Sequence, residues 1–317
     1  SGGKDSTAMA LHAIERGVTD IEYAFADTGH EHAKTYAYLD YLEHKLDITI
    51  TRLKADFSAE IAHKRTVVET KWRRDGVPEG RIARALELLV PTGIPFLDLC
   101  LWKGRFPSTR RRFCSEELKH KPLTELSEQL LSRFVELKSW QGVRRDESLQ
   151  RADLLESEDH PGIPGLVWYR PILDWKAEDC FAIAARHGLK PNPLYQDGMG
   201  RVGCMPCIHA TKDETFQIAL RFPEELARLA EWERIVGDAA KRGVSTFFDA
   251  RVTNRHLGLP KITAENVQYI SAETHGVAAY VRWAKTRHGG KVPDKEKHEL
   301  IASDQPPGCK SIYGLCE

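Results

Sequence analysis

The chain opens on Ser1-Gly2-Gly3-Lys4-Asp5-Ser6, and no other stretch so narrows what it can fold into. Two adjacent glycines let a backbone take φ/ψ values closed to other residues and approach a ligand with no Cβ in the way. The residues that follow, Thr7 to Ile14, place Ala8, Leu11 and Ile14 on one helical face. A glycine turn feeding a helix gathers backbone N–H groups into an anion-binding concavity. Ser1 and Ser6 add hydroxyls, and Lys4 adds a point charge suited to phosphate. Such a turn ordinarily follows a strand, so a short apolar strand is expected upstream of Ser1. The spacing is not that of GxxxxGK[ST]. The bland alternative is an ordinary helix start capped by Ser or Asp.

The rest of the chain supports a nucleotide-binding reading of the turn. The pattern predicts a helix over about 7–16, a strand over 21–26, a helix over about 34–45 and a strand over 48–53. Strands separated by helices of this size imply βαβ units, so the expected class is α/β, an open parallel sheet flanked by helices. Residues 58–90 read as charged helix broken at Gly76-Val77-Pro78, and 91–113, with Pro91, Gly93, Pro95, Gly104 and Pro107, as an irregular active-site segment. Beyond it the pattern predicts a helix over 116–131, a strand near 134–138, a polar loop over 146–164 and a helix over 177–187. Residues 214–240 are expected to be helical, and 250–317 show weak periodicity. The division this suggests is a nucleotide-binding domain over 1–212 and a mostly helical C-terminal extension over 213–317.

Composition excludes some classes. Of 317 residues 41% are hydrophobic and 29% charged, with no apolar run of membrane-spanning length and no visible export signal, so a cytoplasmic protein with no membrane partner is expected. Seven cysteines, an odd number, argue for a reducing compartment rather than a disulfide framework. Cys100 and Cys180 sit in apolar or helical contexts and read as buried thiols. The formal net charge is zero, so no global field steers the chain to nucleic acid. Locally, Lys103, Arg105, Arg110, Arg111, Arg112, Lys119 and Lys121 crowd one segment, which reads as an anion pocket against the alternative of a solvated face.

Four further segments carry chemistry. Asp27-Thr28-Gly29-His30-Glu31 follows the strand over 21–26, on the sheet edge where open parallel sheets bind ligands. Arg112-Phe113-Cys114-Ser115 leads to Lys119 and to Pro122-Leu123. Gly142-Val143-Arg144-Arg145-Asp146-Glu147-Ser148-Leu149-Gln150-Arg151 carries guanidinium forks suited to phosphate or sulfate oxygens, with a solvated loop as the alternative. Asn192-Pro193-Leu194-Tyr195 precedes Gly203-Cys204-Met205-Pro206-Cys207, and by itself C-x-x-C suits zinc, an iron–sulfur cluster or a redox pair. Cys309 and Cys316 supply further thiols near the end of the chain.

Taken in order, these five segments resemble the phosphoadenosine phosphosulfate (PAPS) reductase family, within the PP-loop, adenine-nucleotide α-hydrolase-like superfamily. The resemblance covers residues 1 to about 210. It implies that Ser1, Gly2, Gly3, Lys4, Asp5, Ser6, Asp27, Thr28, Gly29, Arg144, Arg145 and Arg151 hold an adenine nucleotide, with magnesium a further candidate, and that Lys119 adds catalytic charge. It implies a [4Fe–4S] cluster, with zinc the alternative, on Cys114, Cys204, Cys207 and Cys316, and Cys309 as the alternate fourth ligand or the reactive thiol. The implied reaction is reduction of a sulfonucleotide to sulfite, with a thiol reductant such as thioredoxin as partner. Two departures matter: Ser115 stands where the iron–sulfur reductases have a second cysteine, and no E-C-G-L-H segment is present. They leave room for an ATP pyrophosphatase that adenylates a nucleic-acid or protein sulfur acceptor, as in DNA phosphorothioation or tRNA thiolation. A non-catalytic nucleotide-binding module is the third reading.

Overall fold

The computed structural model describes residues 1–263, 266, 269–286 and 315. The elements run α1 (Lys4–Glu15), β1 (Tyr23–Ala26), α2 (Ala33–Leu46), β2 (Ile50–Leu53), α3 (Ser58–Val67), α4 (Glu79–Leu88) and α5 (Pro95–Lys103). There follow α6 (Phe113–Ser115), α7 (Lys121–Leu131), β3 (Leu137–Trp140), β4 (Ser157–Asp159), β5 (Leu166–Tyr169) and α8 (Ala177–Arg186). The described chain continues through α9 (Lys212–Arg221), α10 (Pro223–Asp238), α11 (Ala250–His256), α12 (Ala272–His275) and α13 (Val277–Ala284). No described helix is long and apolar enough to cross a membrane.

The expected α/β class is present, with parallel strands flanked by helices. β1 and β2 pair in parallel, Tyr23 opposite Ile50 through Ala26 opposite Leu53. β3 and β5 also pair in parallel, Leu137 opposite Leu166, and β4 adds an antiparallel edge to β5. Helices α1, α2 and α8 cover β1 and β2 with one apolar cluster that includes Ala8, Leu11, Phe25, Leu39, Leu42, Ile50 and Ile183. A larger cluster joins α3, α4 and α5 to α9, α10 and α13 through Ile61, Leu99, Leu101, Ile218, Leu229 and Val277. This core therefore draws side chains from both sides of residue 212.

Several expected boundaries move, each for a local reason. α1 begins at Lys4 rather than near Thr7, because Gly3 takes the extended N-cap position (φ −91°, ψ 165°). The segment over 91–113 is not wholly irregular: Pro95 starts α5 and Gly104, at φ +65°, ends it, so the turn residues there are helix caps. The helix expected over 116–131 begins with a π turn at Glu116–His120. The strand expected near 134–138 is β3, displaced toward Trp140. The polar loop over 146–164 contains β4, and β5, a Leu-Val-Trp-Tyr run after Gly165, was not anticipated. The helical stretch over 214–240 is two helices, parted at Phe222 because Pro223 cannot continue the first.

Candidate active site

The opening turn is held from three directions. The Lys4 backbone N–H donates to the Tyr195 hydroxyl at 2.8 Å, and Asn192 Nδ2 donates to the Gly2 carbonyl at 3.0 Å. Both partners come from a short 3₁₀ turn, Pro193–Tyr195, which the Asn192 side chain caps by accepting from the Leu194 N–H at 3.0 Å. The third hold is Arg144, 3% exposed, whose Nε donates to Asp5 Oδ1 at 2.5 Å while Nη1 donates to Asp146 at 2.6 and 2.7 Å. Gly142 lets this loop lie against α1, since a Cβ there would stand 3.1 Å from the Asp5 carbonyl carbon and 3.2 Å from the Ser6 nitrogen. Lys4 is buried, its Nζ 3.4 Å from Asp5 Oδ2, and Ser1 Oγ lies 2.9 Å from Ser6 Oγ. The first N–H groups of a helix have no intrahelical acceptor, so this turn keeps donors for an anion.

The loop after β1 folds back on itself. Asp27 Oδ1 accepts from the Gly29 N–H at 2.9 Å and from Tyr36 Oη at 2.7 Å, and Asp27 Oδ2 pairs with Lys54 Nζ at 3.3 Å. Burial, reinforced by the bond to Asp27, raises the Tyr36 phenol well above its ordinary range. Glu31, 4% exposed, accepts from Thr28 Oγ1 at 2.8 Å and from the Thr28 N–H at 3.2 Å. Glu31 also forms an isolated antiparallel bridge with Cys204, and the Cys204 thiol donates to Glu31 Oε1 at 3.6 Å. His30 fixes the same turn: its carbonyl accepts from the Met205 N–H at 2.8 Å, and its Nε2 lies 2.9 Å from the Pro206 carbonyl. Burial, followed by the charge of Arg228, lowers the His30 pKa to about 3, so the ring is neutral. Nε2 then donates to Pro206, and Nδ1 accepts from Arg228 Nη2 at 3.3 Å.

Lys119 connects these loops. Cys204 holds the Lys119 ammonium above its ordinary pKa against the opposing effect of burial, with Glu31 assisting. Burial pushes the Cys204 thiol up to about 12, with Lys119 opposing and Glu31 and Cys207 adding to it. Burial and then Cys207 raise the Cys114 thiol, and Lys119 again opposes. The Arg201 guanidinium is held above its ordinary pKa against burial, with Cys207 the largest opposing influence, followed by Glu214 and Cys204. Cys114, Cys204 and Cys207 thus share one neighbourhood with two cations. Cys100 and Cys180 are buried, as expected, and the Cys180 thiol donates to Asp5 Oδ1 at 3.6 Å.

Among the described residues no group of three or more His, Cys, Asp or Glu side chains is gathered tightly enough to hold a metal ion. The donor chemistry nevertheless suits one, since three thiols from two segments face cations that would offset thiolate charge. Cys309 and Cys316 lie outside the described residues.

The expected anion-binding residues divide into two groups. The opening turn, Asp27–Gly29 and Arg144 come together, but Arg144 reaches the turn through Asp5. Arg145 donates to the Ala152 and Leu154 carbonyls at 3.1 and 2.8 Å and pairs with Asp174, and Arg151 pairs with Glu147. Of the basic run expected to form an anion pocket, Arg105, Arg110, Arg111 and Arg112 are exposed, and Lys103 and Lys121 pair with Glu117. Sequence reasoning did not assign roles to Glu31, Gly142, Asn192, Tyr195 and Arg201. The only signal for them was membership in motifs already singled out.

The family model described as the phosphoadenosine phosphosulfate reductase domain matches residues 1–210. An uncharacterized 37.8 kDa protein of Escherichia phage 186 is 49% identical, over 100% of this chain and 95% of that protein. Phosphoadenosine 5′-phosphosulfate reductase of Erwinia tasmaniensis is 26% identical, over 62% of this chain and 64% of that protein. Adenosine 5′-phosphosulfate reductase of Streptomyces coelicolor is 27% identical, over 63% and 66%. The chain thus spans about two thirds of the length of these two reductases. A crystal structure of phosphoadenylyl-sulfate reductase from Candida auris aligns with a TM-score of 0.41 at 15% identity, over 64% of this chain and 77% of that one. With a match across residues 1–210 that contains every loop of the site described above, the chain belongs to the phosphoadenosine phosphosulfate reductase family.

Proposed function

We propose that this chain is an enzyme that binds an adenine sulfonucleotide and reduces it to sulfite. The observation that carries the reading is the position of Lys119, a cation beside Cys204 and Glu31 where the loop after β1 and the C-x-x-C turn meet. The opening turn would receive the nucleotide's anionic groups on its N–H groups, hydroxyls and Lys4. Arg144 would stay with Asp5, while Arg145 and Arg151 would exchange carboxylate partners for ligand oxygens. Magnesium would accompany the ligand only if it were a triphosphate.

Lys119 would hold the sulfonate oxygens. A thiolate, Cys309 in this reading, attacks the sulfur, and the S–O bond to the nucleotide phosphate breaks with its electron pair leaving on the nucleotide. A thiol of an external dithiol protein of the thioredoxin class then attacks the cysteine sulfur. Sulfite departs with the bonding pair, the cysteine takes a proton once the second thiol of that protein resolves the mixed disulfide, and the dithiol is oxidised by two electrons. Cys114, Cys204 and Cys207, with Cys316, would hold a [4Fe–4S] cluster or zinc. When bound, the metal keeps these sulfurs as thiolates and ties the end of the chain to the core.

The test is an anaerobic turnover screen. Sulfite from an adenosine sulfonucleotide with a dithiol donor is the expected product. Pyrophosphate from ATP, without sulfite, would replace this reading by the ATP pyrophosphatase. Nucleotide binding with neither product would leave a binding module.

A further inference from the structure

We propose that the arginine turn over 105–112 docks the phosphate backbone of a nucleic-acid strand. The proposal goes beyond the nucleotide site and does not rest on the reaction assigned to it. Arg105, Arg110, Arg111 and Arg112 are all exposed, and among the described residues none has a carboxylate within ion-pair distance. Elsewhere on the surface Arg73, Arg84, Arg186 and Arg234 pair with carboxylates, while Arg74, Arg133 and Arg255 are exposed singly without one among the described residues, so what sets this turn apart is four such arginines within eight positions. Asp249, the acid whose carboxyl feels Arg110, is already held by Arg251 at 2.5 Å. The net charge of the whole chain is zero, so this excess of unpaired positive charge is local.

The turn is built to present these side chains. The Ser108 N–H donates to the Arg111 carbonyl at 3.2 Å and the Arg111 N–H donates to the Ser108 carbonyl at 3.0 Å, closing a tight reversal. Its base is fixed: Phe106 is 5% exposed, stacks on Phe96 and meets Phe247 edge-on, and its N–H donates to Ser245 Oγ at 3.3 Å. Arg105 lies over the Phe113 ring, its guanidinium carbon 5.9 Å from the centroid. The four guanidinium groups are spread over residues 105–112, on both sides of and within this reversal, and all are exposed. They suit phosphates repeated along a polymer, which arginine forks bind through paired N–H groups. The turn runs directly into Cys114, so a bound strand would lie beside that thiol.

The experiment is fluorescence anisotropy with labelled single-stranded DNA and RNA of about twenty nucleotides, read over a salt series. A single strand gives a log–log salt slope of about −0.7 per phosphate contacted, so four contacts predict about −2.8, and affinity falling roughly 50-fold between about 50 and 200 mM salt. Substituting Arg110, Arg111 and Arg112 together by alanine should reduce the slope to about −0.7 and leave nucleotide affinity and the thermal midpoint as in the parent. Arg110→Glu alone should weaken strand binding at every salt concentration, and Arg111→Lys should keep the salt slope while losing part of the affinity. The proposal is overturned if the parent binds neither strand, if its binding is insensitive to salt, or if the triple variant binds as the parent does. It is equally overturned if polyglutamate or an anionic phosphatidylserine vesicle binds and the oligonucleotides do not.

Discussion

Replacing Arg144 by lysine keeps the charge and removes the fork. The guanidinium serves two carboxylates at once, Asp5 through Nε at 2.5 Å and Asp146 through Nη1 at 2.6 Å. A lysine ammonium can serve one of them well. The Asp146 side chain is 45% exposed and takes water in exchange at little cost, whereas that of Asp5 is 18% exposed and loses more. A hydrogen bond to a charged group is worth about 1.5–3 kcal/mol, so Arg144→Lys should lower stability by roughly 2 kcal/mol. Urea unfolding without nucleotide measures this, and calorimetric titration with an adenine nucleotide measures the second effect, a weaker site because the opening turn is no longer held. Asp5→Asn combined with Arg144→Lys should cost less than the sum of the two. A lysine variant that unfolds at the parent's urea midpoint yet binds nucleotide more weakly would refute the reasoning, because Arg144 would then act on the ligand directly rather than through Asp5.

Other outcomes follow from single contacts. Glu233, 2% exposed, accepts from the Phe247 and Val277 N–H groups at 2.7 and 2.8 Å, and burial raises its pKa to about 7 despite them. The raised folded-state value favours the protonated form, so its stabilisation is complete below about 4.5 and is lost as pH rises through about 7. Relative to Glu233→Gln, the parent should therefore lose roughly 3 kcal/mol between pH 4 and 8, and parallel pH profiles would contradict this. Gly29→Ala places a Cβ 2.9 Å from Pro95 Cδ in a residue at φ +68°. It should cost at least ~2 kcal/mol and displace the loop after β1; an unchanged urea midpoint would count against it. Anaerobic protein should carry iron and sulfide, and Cys204→Ser or Cys207→Ser should remove them, whereas zinc alone in the parent would exclude the cluster.

Periodicity alone located α1, β1, α2, β2 and α8 to within a few residues, because each has an apolar face of the right spacing. It missed β5, whose Leu166–Tyr169 run is four residues long and falls between the polar loop over 146–164 and the helix over 177–187, where no element was expected. It also took Pro95 and Gly104 for breaks although they bracket a helix, since the same residues serve as interruption or cap according to what lies between. The site loops were legible as motifs. Their wiring was not: nothing near Asp5 in sequence indicates that its partner is Arg144, and nothing near Lys4 points to Tyr195. The three arginines over 110–112 show the same limit, because composition reports a charge cluster but not whether it lines a cavity or projects from a turn.

The holds on the opening turn join residues 191, 190 and 139 positions apart. Contacts of that separation form only after much of the chain has been ordered, and their closure entropy is met late in folding. The hexapeptide that begins the chain is therefore among the last parts to acquire its working shape. A fragment ending before Asn192 would carry the motif and lack two of its three clamps. Under the proposed function, nucleotide binding should consequently report on completion of the fold as a whole, and a copy ending before Asn192 should not bind nucleotide, a result that calorimetric titration would check.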